Sequence, residues 1–344
     1  YVLIAGGPDR RALPAVFKYL IMGTIGATFY IIGIGLVYMM TGTLNLADME
    51  ARIGGVTDIN PILVADGFIT IGLALKAAVF PLHVWLPNAY THAPHMVTVF
   101  LAACATKVAI YVLIRFDFFV FQANLPGPQL QFSLFILPLA LLGILVASAV
   151  AMFEGHLKRL LATSSIAQIG YIMLGASFLT LGGMTASAAH LFNHALAKGG
   201  LFLAVACLGC HYRDLRLEQL AGAARNMPLT EAAMVVCGFS LIGVPGTAGF
   251  ISKWYLVLAA IEQQSWLIAI IILTGSLLAV AYMWNLIETL FFQPMTPRAE
   301  PVREAPMSML VPMWLLVIAN IWFGLDTGLT VGIAETVVQL LGVN

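Results

Sequence analysis

The 344 residues are 61% apolar and only 9% charged, with a mean hydropathy of +0.96, whereas a soluble domain is about one quarter charged. That excludes a water-soluble globule. Sixteen Lys and Arg balance sixteen Asp and Glu, so no net field recruits a strongly anionic surface, and no nucleic-acid partner is expected.

The chain opens at Tyr1 inside an apolar run reaching Gly7, without a basic leader or cleavage site, as expected of a piece whose start lies upstream. Nine runs long enough to cross a bilayer follow, at 15–40, 61–87, 94–115, 130–153, 160–181, 185–209, 230–260, 266–292 and 307–325. They are continuous in Leu, Ile, Ala and Phe, unlike the short alternating strands of a barrel, and helices satisfy their own backbone in lipid. The expected fold is all-α: a polytopic transmembrane helical bundle with discontinuous helices, one domain over 1–344. The basic residues orient it. Arg10, Arg11 and Lys18 precede the first span. Lys158 and Arg159 follow the fourth, Arg213, Arg216 and Arg225 the sixth, and Arg298 and Arg303 the eighth. The opposite connectors hold Arg52 and Arg115, near Asp48, Glu50, Asp58 and Asp117. Ten against two puts the first group in the cytoplasm and the C-terminus outside it, in a multi-pass protein of the inner (plasma) membrane. The tail from Thr330 to Leu341 is a mixed apolar segment for the interface or for a partner.

Removing these connector residues leaves Lys76, Lys107, Lys198 and Lys253, each inside a span. A lysine at mid-bilayer costs roughly 2.5–3.5 kcal/mol, so four facing lipid would cost about 10–14 kcal/mol. Snorkelling to the interface is one escape; burial against partners or water is the other. Desolvation favours the neutral form of an amine, which turns it from a fixed charge into a reversible proton carrier. In the second span Lys76 is followed by Pro81, which cannot donate to the carbonyl of Ala77, so the helix is expected to break beside its charge or to kink with ordinary packing. Lys107 lies mid-span in the third. In the sixth, His190, His194 and Lys198 recur at i, i+4 and i+8, along one side of a helix.

Histidines at that spacing can be packed and hydrogen bonded, can pass protons, or can form half a metal site. No Glu follows His190 as in the zinc-protease pattern, so no metal is expected. Cys207-Leu-Gly-Cys210-His211 fits the c-type haem signature. It closes an apolar helix on the basic side, where covalent haem is not expected, and no cofactor is expected either. In the seventh span Gly243, Pro245, Gly246 and Gly249 precede Lys253, a second discontinuous helix. Interrupted helices with ionisable groups at the break point to an ion site. Asp66 and Glu288 are the candidate intramembrane acids, each open to an interfacial placement instead.

The stretches Gly72–Pro87 around Lys76, Leu157–Tyr171, His194-Ala-Leu-Ala-Lys198-Gly and Val244–Trp254 resemble the signatures of the antiporter-like membrane subunits shared by Mrp-type cation/proton antiporters and respiratory complex I. The last stretch looks most like the D-type member of the Mrp branch. The resemblance implies a subunit of about fourteen helices, of which roughly four and most of a fifth would precede Tyr1. That fifth helix would carry the family's key glutamate, the implied partner of Lys76. It further implies that Lys76 accepts protons, that Lys107, His190, His194 and Lys198 hand them along the midplane, and that Lys253 gates release. The lysine at 253 separates this chain from a complex I subunit with glutamate there. The implied function is the proton-translocating subunit of a multisubunit Na⁺/H⁺ antiporter, with H⁺, Na⁺, lipid and other antiporter subunits as partners. The alternative is the proton-pumping subunit of a complex I-type quinone oxidoreductase or membrane-bound hydrogenase.

Overall fold

A computed structural model describes residues 1–7, 10–121, 128–295 and 302–340. Among the described residues, eight helices are long and apolar enough to cross a membrane. In chain order the elements used below are α1 (Ala12–Thr41), α2 (Asn60–Ala77), α3 (Trp85–His92), α4 (His95–Phe121), α5 (Pro128–Met152), α6 (Leu157–Ser177), α7 (Leu181–Gly209), α8 (Pro228–Ile242), α9 (Ala248–Glu262), α10 (Trp266–Phe292), α11 (Met307–Leu325) and α12 (Gly328–Leu340). The seventh of the nine expected spans is the pair α8 and α9, each too short to cross alone and split at the Gly/Pro run. The second span is likewise split, into α2 and α3.

The most apolar helices lie outside and the most polar lie inside. The most apolar stretches of α1 and α11 are 22% and 28% buried, whereas that of α6 is entirely buried, although α6 carries Ser164, Ser165, Gln168 and Tyr171. Lipid solvates Leu and Ile as well as a protein core does, so the polar helix is the one that gains from burial. Helix α6 packs between α5 and α7, and α7 in turn meets α8, α9, α11 and α12. Small residues set the closest approaches: a Cβ on Gly72 would lie 2.6 Å from the carbonyl oxygen of Gly26, locking α2 against α1.

Helix α12 packs along α7, with Val331, Ala334 and Val338 buried, so this part of the tail finds its apolar partner within the chain. Leu341 lies outside the described residues, as does Arg298. Five of the ten residues assigned to the cytoplasmic side, Arg11, Lys158, Arg159, Arg213 and Arg216, line one cavity of about 690 Å³ at one end of the bundle. Within it a two-strand-like joint ties Leu157 N to Leu215 O and Leu217 N to Gly155 O, both at 2.9 Å.

Candidate functional site

Helix α2 ends at Ala77, one residue beyond Lys76, because Ala78 turns left-handed (φ +61°) and the following Pro81 cannot rejoin the ladder. The freed carbonyls are taken at once. Val79 N reaches Ala74 O at 2.9 Å, Ala78 N reaches Leu75 O at 3.2 Å, and the indole of Trp85 at the start of α3 donates to Leu75 O at 2.9 Å. Lys76 does not share in these bonds. Lys76 is exposed, with Nζ 5.6 Å from the ring centre of Tyr19 and 5.9 Å from that of Tyr1.

The break between α8 and α9 is arranged the other way. Helix α8 terminates at Ile242 through Gly243, whose φ of +92° is costly for any other residue. Its last carbonyls then point across the gap to the first turns of α9. Lys253 places its amine there, donating to Leu241 O at 2.7 Å, Ile242 O at 3.1 Å and Ser276 Oγ at 3.1 Å, with the Tyr171 ring 4.5 Å away. The carbonyl end of a half-helix carries partial negative charge, so a cation is favoured there. Gly249 is required for the approach, since a Cβ there would lie 1.9 Å from Ser240 O. Asn193 and Asn320 hold the start of α9 through Ala248 O (2.7 Å) and Ala248 N (3.2 Å).

Between the two breaks, α7 presents His190, His194 and Lys198 inward, all buried. His190 Nδ1 is 2.7 Å from Ser252 Oγ and Nε2 is 3.0 Å from Gln168 Oε1. Gln168 donates its amide nitrogen to Leu241 O at 3.3 Å. That orients its oxygen toward the ring, assigns the imidazole proton to Nε2 and leaves Nδ1 to accept from Ser252. His194 lies parallel to His190, centroids 6.2 Å apart with a 4° interplanar angle, and both its ring nitrogens are sealed without a hydrogen-bond partner. It is within electrostatic range of Lys107, Lys198 and Lys253. Lys198 donates to Leu161 O at 2.7 Å and Ser164 Oγ at 2.6 Å. Lys107, on α4, donates to Ala102 O, a carbonyl presented by the π-helical turn Leu101–Ala105.

Of the six residues expected from the sequence, five are therefore buried around one axis and Lys76 stands apart. The removal of connector lysines also missed one: Lys158 is 4% exposed and donates to Ala93 O at 2.7 Å, capping α3. Gln168, Ser164 and Ser252 lie inside motifs visible in the sequence, but their contacts with the row were not legible there. Asp66 is buried and Glu288 exposed, which separates the two candidate acids. Asp117, read as a connector residue, is buried, and so is Glu231. Among the described residues, no three His, Cys, Asp or Glu side chains converge on a metal position.

Residues 1–279 match the family model for the transmembrane region of NADH:quinone oxidoreductase and Mrp antiporters. The chain belongs to this family and is an antiporter-like, multi-pass membrane subunit. It is 40% identical over 338 residues to NADH-quinone oxidoreductase subunit N of Desulforudis audaxviator, covering 94% of this chain and 67% of that protein. It is similar to a chain of the archaeal membrane-bound sulfane sulfur reductase, with a TM-score of 0.88, 29% identity, and coverage of 98% of this chain and 68% of that one. It is also similar to a chain of the Mrp complex from Dietzia sp., with a TM-score of 0.87, 25% identity, and coverage of 95% and 68%. The chain thus spans about two thirds of the length of these relatives.

Proposed function

We propose that this chain is the proton-translocating membrane subunit of a redox-driven complex of the complex I type, and that Lys107, His194, Lys198, His190 and Lys253 form its path. The resemblance in sequence leaned toward an Mrp Na⁺/H⁺ antiporter. Identity of 40% to a NADH-quinone oxidoreductase subunit, against 25% to the Mrp chain, favours the redox alternative. Other membrane subunits are the natural partners in either case.

One observation carries the proton reading: Lys107, Lys198 and Lys253 are held by carbonyl and hydroxyl oxygens and, among the described residues, no carboxylate partners their amines. A lysine in a buried ion pair cannot lose its proton without stranding an anion. An amine among neutral acceptors alternates between charged and neutral forms with only its own desolvation to offset, and a membrane voltage of 100 mV contributes about 2.3 kcal/mol per charge to that exchange. His190 fits between them. When Nδ1 takes a proton, Ser252 turns from donor to acceptor and gives its own hydrogen to Gly249 O, 3.3 Å away. Lys76, open at the first break, stands at the entrance to the row.

The test uses the full-length subunit within its complex in sealed vesicles. Proton uptake is expected to require an electron donor, to proceed without Na⁺ and to be lost in Lys253→Met. Proton movement driven by a Na⁺ gradient without any donor would overturn the redox reading in favour of the antiporter.

A further inference from the structure

Outside the row, Asp66, Thr70 and Asp117 form a second polar cluster. Asp66 and Thr70 are one turn apart on α2, and Asp117 comes from the π-helical end of α4, Arg115–Phe121, the end opposite His95 and the basic cavity. Thr70 Oγ1 is 3.4 Å from Asp66 Oδ1 and 3.3 Å from Asp117 Oδ1, so one hydroxyl bridges the two carboxyl groups. Both are more than nine-tenths buried, at 5% and 7% exposure. Asp117 Oδ2 is sealed from solvent with no hydrogen-bond partner.

A carboxylate has no hydrogen to donate and a threonine hydroxyl has one. Two ionised carboxyls on either side of one hydroxyl would leave its single hydrogen to serve only one of them, and the other would face the hydroxyl oxygen as acceptor to acceptor in a dry site. A single added proton removes the conflict: one carboxyl donates to Thr70 Oγ1, and the Thr70 hydroxyl donates to the other. The surrounding charged groups are occupied elsewhere. Arg115 donates to Tyr111 Oη at 2.6 Å and lies over Phe119, and Lys107 is on Ala102 O. Arg52 and Asp48, on the short helix Leu46–Ile53, pair with each other at 2.9 Å. Tyr30 of α1 meets Phe116 with ring planes at 85°, Lys76 is ten residues further along α2, and α5 carries no titratable residue from 132 to 152.

We infer that Asp66 and Asp117 bind one proton between them, with Thr70 as its hydrogen-bond partner, at the end of the bundle opposite the basic cavity. This site stands whether or not the chain moves protons. It is tested by infrared absorption of the full-length protein in its complex at neutral pH. One carbonyl band of a protonated carboxylic acid is expected to vanish in Asp66→Asn and equally in Asp117→Asn, and to shift without loss in Thr70→Val and Asp66→Glu. The Glu variant keeps the test alive if an Asn variant fails to assemble. Absence of any band sensitive to these substitutions would overturn the inference, as would two independent bands. So would a band abolished by Na⁺ at constant pH, which would make the pair a sodium site.

Discussion

The chain contains two broken helices with a lysine at each break, and they end up as opposites. At the first, the backbone and Trp85 take the carbonyls of Ala74 and Leu75, and the Lys76 amine lies beside two tyrosine rings. At the second, the lysine belongs to the helix after the gap. It reaches back to the carbonyls that α8 leaves open, so Lys253 is buried with three acceptors. A break supplies a site for a cation only when the cation can approach the carbonyl end from outside that helix. The order of lysine and break in the sequence decides this: Lys76 precedes Pro81, whereas Lys253 follows Gly243.

Substitutions can sharpen that contrast. Lys253→Met is expected to have the largest effect. It removes the lysine donor of Ile242 O and leaves Leu241 O with only the Gln168 amide at 3.3 Å, at about 1–3 kcal/mol for the unsatisfied carbonyl, measurable as lowered stability of the assembled complex against denaturant, together with loss of proton transport. Gly249→Ala should follow, at about 1–3 kcal/mol from overpacking, because its Cβ drives α9 away from Ser240 and loosens the grip on Lys253; unchanged stability would contradict the close approach. Lys76→Met should cost less stability than Lys253→Met, since its amine donates to none of the carbonyls shown to be bonded at its break, while still reducing proton flux if the residue is the entrance. A large loss of stability there would break the comparison.

The smallest effect concerns pH. Burial holds the His156 imidazole down, to about 4; Asp214 opposes this, and Lys158 and Arg216 reinforce it. The folded state thus binds fewer protons than the unfolded chain, so the contribution is intact above about pH 6.5 and is lost as pH falls from there toward 4. Lys158 caps α3 beside His156, so acidification should loosen the first break and leave the second unchanged. Protection factors for amide hydrogen exchange, taken relative to the intrinsic rate at each pH, should fall at Leu157 and Leu217 over that range, while those at the start of α9 do not.

Much of this architecture was legible in the sequence, because apolar length, Pro and Gly report directly on spans and breaks. The placement of charge was only partly legible. Lys76 lies within a spanning helix and Lys158 at the basic end, as their positions along the chain imply, but position does not say which face of a helix turns inward, and so does not report that Lys158 is buried. Gln168, Ser164 and Ser252 join the row through contacts between helices, 22 residues apart for Gln168–His190 and 62 for Ser252–His190, and no local pattern encodes such pairings. The π-helical turns at Leu101–Ala105 and Arg115–Phe121 expose Ala102 O to Lys107 and carry Asp117 inward. They carry no Pro or Gly to announce them.

The central claim is that the buried amines work by giving up a proton rather than by holding a charge. Arginine retains the charge but does not release its proton in a protein. Proton flux in vesicles containing the assembled complex with Lys253→Arg therefore tests the account most directly. The account predicts that Lys253→Arg is as inactive as Lys253→Met; near-normal flux in the arginine variant would contradict it.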